Sequence, residues 1–395
     1  MRTTLRSAAL AILLSSSLMP VALIAQTAPP VDRTAEASKE AGTPWLYENS
    51  EIPVDTSWTF GELDNGLRYA VKHNGVPPDQ ASIRIRVDAG SLHERDDELG
   101  YAHLIEHLSF RGSTHVPDGE NKRIWQRFGV LFGSDSNAST TPTQTVYQLD
   151  LPNATPSVLD ESMTILSGMI KDPRINAQSV GAEKQIVQAE LRENDGASMK
   201  LGDATRKLYF QGQRLADRAP IGTVASLQQA APGKLQAFHD RWYRPENTVV
   251  VIAGDGDPAT YEALIKQNFA NWKGKGKAVP APKFGDPTAD GRAAEVVVEP
   301  TLPSTISIVT ARPWRFKEDT IAYNQGLMTD LIARLIVNRR LEAKARAGGS
   351  FLQASVNRDD ISRSANITSV QVVPLGGAWD KALADVRSVI ADATA

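Results

Sequence analysis

The sequence contains no cysteine. Its 395 residues therefore carry no disulfide, no thiolate nucleophile, no Cys-ligated zinc and no lipidated amino-terminal Cys. Histidine is scarce as well: six are present, at positions 73, 93, 103, 107, 115 and 239. Any metal centre must be built from these few imidazoles together with carboxylates. There is no excess of one charge either. The 43 Lys+Arg and 46 Asp+Glu leave a net charge of −3, whereas a dedicated nucleic-acid binder carries a clear basic excess. Long apolar runs are confined to the first 25 residues, which excludes a polytopic membrane protein. The 41% hydrophobic and 23% charged content describes a globular chain of roughly two to three domains, neither disordered nor collagen-like.

What is present begins with an export signal. Residues 1–25 read as a secretory signal peptide, with Arg2 and Arg6 as its basic region and Ala8–Leu14 and Leu18–Ala25 as its apolar core. Ala25 offers a small residue for cleavage. An uncleaved anchor is the alternative, but Ser15–Ser17 and Pro20 interrupt the run that a stable spanning helix needs. Residues 26–44, rich in Ala, Thr and Pro, read as a flexible leader.

Folded sequence is expected from Trp45. Leu67–Lys72 and Ala81–Asp88 alternate as strands, the second placing Ile83, Ile85 and Val87 on one side and Arg84 and Arg86 on the other. Helical periodicity follows at about Glu98–Phe110, stopped by Gly112, and at Asn121–Phe128. Val146–Leu151 reads as a strand. Ser157–Lys171, Ala177–Glu193 and Ala230–Trp242 read as helices, and Thr248–Ala253 as a buried strand. Lys273–Lys277, alternating Lys and Gly, together with Pro280 and Pro282 marks a linker over 273–290. Beyond it the order repeats. Strands are expected at Glu295–Val298, Thr305–Ala311, Phe351–Val356 and Ala365–Val373, with a long helix at Thr320–Ala347 and another from Trp379. That last helix is still amphipathic near Ala395, so the chain reads as cut. The predicted fold is α+β: two related layered domains, at 45–272 and 291–395, each a mostly antiparallel sheet with helices on one face, the second incomplete.

The chemistry is concentrated in His103-Leu104-Ile105-Glu106-His107. Positions i and i+4 of a helix lie one above the other, so both imidazoles can address one ion. Glu106 is close enough to act on water at that ion without being a ligand. This is the inverted zincin arrangement, H-x-x-E-H. Leu104, Ile105 and Leu108 mark a helix packed into a core rather than one carrying two solvated imidazoles. A catalytic zinc takes three protein ligands, and no other His lies in a suitable segment, so the third should be a carboxylate. Glu183 and Glu190 stand seven apart on the 177–193 helix and share a face. The residues alone do not choose between them. His73, His93 and His115 read as surface residues and His239 as structural. No His follows 239, so the second domain has no copy of the site.

Several segments in order resemble the pitrilysin/insulinase family of zinc metallopeptidases, in particular its long periplasmic bacterial members. They are Leu63-Asp64-Asn65-Gly66-Leu67-Arg68-Tyr69, Gly90-Ser91-Leu92-His93-Glu94, the run from Leu99 through the His103–His107 motif to Ser113, Gly133–Thr140, Tyr147–Pro152, Ala219-Pro220-Ile221-Gly222 and Trp242–Asn247. The resemblance is strong over 57–256. It implies a peptidase that holds one zinc per chain, with catalytic domain 45–272 and a non-catalytic second domain at 291–395. The family's E-R/K-x-x-V-x-x-E helix selects Glu190 as third ligand beside His103 and His107, with Glu183 as a supporting carboxylate. Lys184 stands where Arg is commoner, and the spacing from His107 is a few residues longer than usual. Glu106 is implied as the base that activates water. Gly133–Thr140 is implied as an edge strand on which Asn137 and Ala138 engage the substrate main chain. The expected protein is a periplasmic zinc endopeptidase acting on peptides or unfolded polypeptides, with a carboxy-terminal half or partner subunit closing the chamber, no nucleic acid, and no stable membrane insertion after signal cleavage. The alternative is a non-catalytic, peptide-binding subunit of a two-component peptidase.

Overall fold

The computed structural model describes residues 45, 47–193, 196–288 and 291–394. The predicted signal peptide and leader, 1–44, lie outside the described residues. The amino-terminal domain is a six-stranded sheet with helices against one face. Its strands are β1 (Thr59–Glu62), β2 (Arg68–His73), β3 (Ala81–Val87), β4 (Ser136–Thr140), β5 (Thr145–Leu151) and β6 (Thr248–Gly254). They lie in the order β1-β2-β6-β3-β5-β4, and only the β2–β6 pair is parallel. Its helices are α1 (Tyr101–Ser109), α2 (Glu120–Arg127), α3 (Pro156–Lys171), α4 (Ala177–Glu193), α5 (Ala197–Tyr209), α6 (Val224–Gln229), α7 (Pro232–Trp242) and α8 (Pro258–Phe269).

Alternation decides which face of the sheet is covered. Ile83, Ile85 and Val87 are fully buried, while Arg84 on the opposite face donates to both oxygens of Asp150 at 2.8 and 3.0 Å. The inward side chains meet Leu104, Ile105 and Leu108 of α1, Met163 and Met169 of α3 and Phe238 of α7 in one core. That packing lays α1 across β4 and β5 and against α4 and α7. β4 is an edge strand: among the described strands it pairs with β5, and Ser136 at its start also bridges to Phe132.

The second unit is a three-stranded antiparallel sheet, β7 (Ile306–Pro313), β9 (Ala365–Pro374) and β8 (Phe351–Ile361) in that order, with α9 (Ile321–Arg346) and α10 (Trp379–Thr394). Leu341, Phe351, Val372, Ala382 and Val386 form its core.

Three expectations need correction. Glu295–Val298 is not a strand: nothing among the described residues pairs with it, and Val296 and Val298 are 85% and 79% exposed. A short apolar run has β character only where a ladder accepts it. The zinc-motif helix begins at Tyr101, not Glu98, because Gly100 precedes it in the left-handed region at φ 90°. His93 is buried rather than at the surface. Its Nδ1 accepts the Gly90 N–H at 3.1 Å, and its ring stands edge-on to Trp242.

Candidate metal centre and active site

The site grows from one short helix. Leu104, Ile105 and Leu108 pin α1 to the core with no exposed surface, which turns His103, Glu106 and His107 the other way. The two imidazole rings stand 4.7 Å apart. The amino-terminal end of α1 is fixed by close backbone approach. A Cβ on Gly222 would lie 2.5 Å from the Gly100 Cα and the Leu99 carbonyl, and Gly222 itself has φ +74°. Gly222→Ala is therefore expected to cost about 2 kcal/mol or more of stability, read as a lowered unfolding midpoint in urea.

The third group comes from α4. Val180, Glu183 and Val187 are buried along one stripe of this helix, and Glu190 continues the stripe. The two carboxylates left open by their spacing occupy different positions. Glu183 Oε2 lies 3.1 Å from His107 Nδ1, with Arg111 Nε 3.4 Å from its other oxygen. Glu190 Oε2 lies 3.8 Å from His103 Nε2 and 3.6 Å from His107 Nε2. His103, His107 and Glu190 form the one group of three or more potential ligands among the described residues, their donor atoms all within 4.8 Å of one another.

This donor set fits zinc. Four-coordinate zinc with bonds of about 2.0–2.1 Å holds its donors about 3.3 Å apart, close to the separations here. Glu183 occupies the place of the carboxylate that orients a ligating imidazole through its other nitrogen. His103 Nδ1 has no such support; it is buried without a hydrogen-bond partner.

Burial pulls the His103 pKa down to about 4, with the neighbouring His107 acting in the same direction. His103 is thus neutral near pH 7, the form in which an imidazole ligates. For His107 burial also acts downward, but the Glu183 hydrogen bond and the charges of Glu106, Glu183 and Glu190 outweigh it, and the pKa rises. Glu106 is only 8% exposed, and burial raises its pKa. Thr140 and His107 oppose that rise; the Glu190 charge adds to it. A carboxylate raised this way is a stronger base than an exposed one.

These groups open into a cavity of about 600 Å³. It is lined by residues 137–140 of β4 and by Met199, Pro220 and Ile221. Asn137 Oδ1 accepts the Ala138 N–H at 2.9 Å, and Asn137 Nδ2 donates to the Gly133 carbonyl at 3.3 Å. Thr140 Oγ1 donates to Glu106 Oε2 at 2.6 Å. Sequence reasoning missed the roles of Thr140, Met199 and Ile221 here. They stand on separate elements, and no spacing along the chain ties them to the motif.

Residues 69–217 match the family described as Insulinase (Peptidase family M16), and residues 231–391 match Peptidase M16 inactive domain. Over 219 residues the chain is 34% identical to the probable zinc protease PqqL of Escherichia coli, a stretch covering 55% of this chain and 24% of that protein. It is 28% identical over 302 residues to the zinc protease PQQL-like of Arabidopsis thaliana, covering 76% of this chain and 32% of that one. The first half of the periplasmic protease PqqL from Escherichia coli has the same fold, with a TM-score of 0.73 at 26% identity over 86% of this chain and 72% of that chain. Pitrilysin, at 18% identity and a TM-score of 0.65, covers 86% of this chain and 37% of its own and shares the fold. The chain spans about a quarter to a third of the length of these curated relatives. With both domains matched in order, the chain belongs to peptidase family M16, the insulinase and pitrilysin family of zinc proteases.

Proposed function

We propose that this chain carries the catalytic site of a periplasmic zinc endopeptidase acting on unstructured peptides. The observation that carries the reading is the convergence of His103, His107 and Glu190 on one point, with Glu106 beside them, in a cavity bordered by an open sheet edge. His103, His107 and Glu190 would hold one zinc, and Glu183 would fix the His107 ring. Zinc at that point supplies Lewis acidity towards the scissile carbonyl and towards water. Glu106 takes the proton of the attacking water and passes it to the leaving amine. Thr140 holds one Glu106 oxygen and leaves the other for that proton. The edge of β4 past Ser136, residues 137–140, accepts an extended peptide as an added strand, with Asn137 turning from Ala138 N–H towards the substrate main chain. Main-chain pairing of this kind selects unfolded polypeptide rather than a particular sequence.

Residues 45–272 form the catalytic domain in this reading, 273–290 the linker, and 291–395 a non-catalytic wall of the chamber. The cavity is open to solvent. On α9, Ile321, Met328, Ile332, Leu335 and Ile336 are between 47% and 57% exposed. Both features favour a carboxy-terminal half or partner subunit that closes the chamber and covers apolar surface.

The test is hydrolysis of an unstructured peptide by the zinc-loaded chain, with and without a chelator. Slow, chelator-sensitive and zinc-restored cleavage is expected, rising about a hundredfold in kcat/KM when the other half of the chamber is supplied, the scale expected from orientation. No zinc-dependent cleavage in either setting would overturn the proposal. Thr140→Val is expected to lower kcat about tenfold with little change in KM, while Thr140→Ser recovers it, because only the hydroxyl holds Glu106. Equal kcat for the Val and Ser variants would remove Thr140 from this role.

A further inference from the structure

We infer that Glu94 is a positioning residue for the metal site: it caps the first turn of α1 from outside the helix and thereby sets the place of His103. The inference rests on the metal reading proposed above. The helix needs such help. Its first turn presents backbone N–H groups with no intrahelical acceptor, and Gly100 at its start has no side chain to cap them. Glu94 supplies what Gly100 lacks. Its Oε2 accepts the Gly100 N–H at 3.0 Å and its Oε1 accepts the Ala102 N–H at 2.9 Å. Glu94 is fully buried, and Ala102 immediately precedes His103.

The cap is itself held from behind. The Glu94 carbonyl accepts from Arg214 Nη2 and, at 3.3 Å, from Arg218 Nε, while Arg214 Nε donates to the Leu92 carbonyl at 3.0 Å. His93 Nδ1 takes the Gly90 N–H, and its ring packs on Trp242. Residues 90–94 are thus a rigid bracket, and α1 has only nine residues with which to resist fraying on its own. His103 stands in the turn that Glu94 caps, and its Nδ1 has no hydrogen bond to orient it. His107, one turn on, has Glu183. The two imidazoles are therefore oriented by different means: His107 through its own ring, His103 through the backbone that carries it.

The test measures zinc affinity of the full chain by competition with a chromophoric chelator, alongside the visible absorption of the cobalt(II) form. Glu94→Met keeps length and apolar volume but accepts no hydrogen bond. It is expected to weaken zinc about 10–100-fold, the usual effect of losing a supporting interaction, and to alter the cobalt(II) band envelope. Glu94→Gln keeps one acceptor for the two N–H donors, so it should fall between, about threefold to tenfold weaker than wild type. It carries the test if the Met variant does not fold. A residue needed only for stability would lower the unfolding temperature yet leave affinity and spectrum of the folded protein unmoved; that result in Glu94→Gln overturns the inference while the metal reading stands. A wild-type chain that binds no stoichiometric zinc overturns both.

Discussion

Replacing Glu106 by Gln is expected to leave zinc bound while lowering peptide hydrolysis about a thousandfold, within the range ascribed to a positioned general base. The amide has the shape of the carboxylate and can still accept from Thr140 Oγ1, so the site should not rearrange. It cannot take a proton. The three donor atoms belong to His103, His107 and Glu190, and none of them contacts Glu106 through a bond that the substitution removes. Metal content by elemental analysis and single-turnover kinetics on an unstructured peptide separate the two effects. A loss of less than about tenfold would mean that another group accepts the proton.

The second large effect is on the metal itself. His107→Ala is expected to abolish stoichiometric zinc, because two donors remain where three are required. Full zinc retention in that variant would sink the site. The two glutamates of α4 should then separate cleanly. Glu190 Oε2 is the carboxylate oxygen lying between both Nε2 atoms, so Glu190→Gln should remove most of the metal. Of the two imidazoles Glu183 meets that of His107 alone, at Nδ1, so Glu183→Gln should weaken zinc about 10–100-fold without abolishing it. If the effects are reversed, so are the roles of the two residues.

Much of the first domain was readable residue by residue. The strands expected at Leu67–Lys72, Ala81–Asp88, Val146–Leu151 and Thr248–Ala253 appear within a residue or so as β2, β3, β5 and β6, because period-two alternation is a local property of the chain. The 177–193 helix has the expected bounds for the same kind of reason. Of the elements that escaped, β1 and α5 carry little periodic signal, whereas α8 was missed despite its stripe of Tyr261, Leu264, Ile265 and Phe269. β1 has four residues, and α5 has no buried position to produce a stripe. At Glu295–Val298 the pattern was present, but among the described residues no strand pairs with it.

The sequence by itself determined the pairing of His103 with His107 and the place of Glu106 next to them, because helical spacing puts these side chains on one face wherever the helix goes. It also determined that cysteine chemistry is absent and that no His after 239 can rebuild the site elsewhere. Apart from the family resemblance, which selected Glu190, only the tertiary structure decided which α4 carboxylate faces both Nε2 atoms, since Glu183 and Glu190 share a stripe and differ only in how α4 lies against α1. The same holds for Thr140 against Glu106, for the Met199–Ile221 wall and for Glu94 beneath the zinc-motif helix. Each joins residues from separate elements. Their distance is set by core packing, which buries Leu104, Ile105 and Leu108 together with β3 and α3, and packing of that kind leaves no regular spacing along the chain.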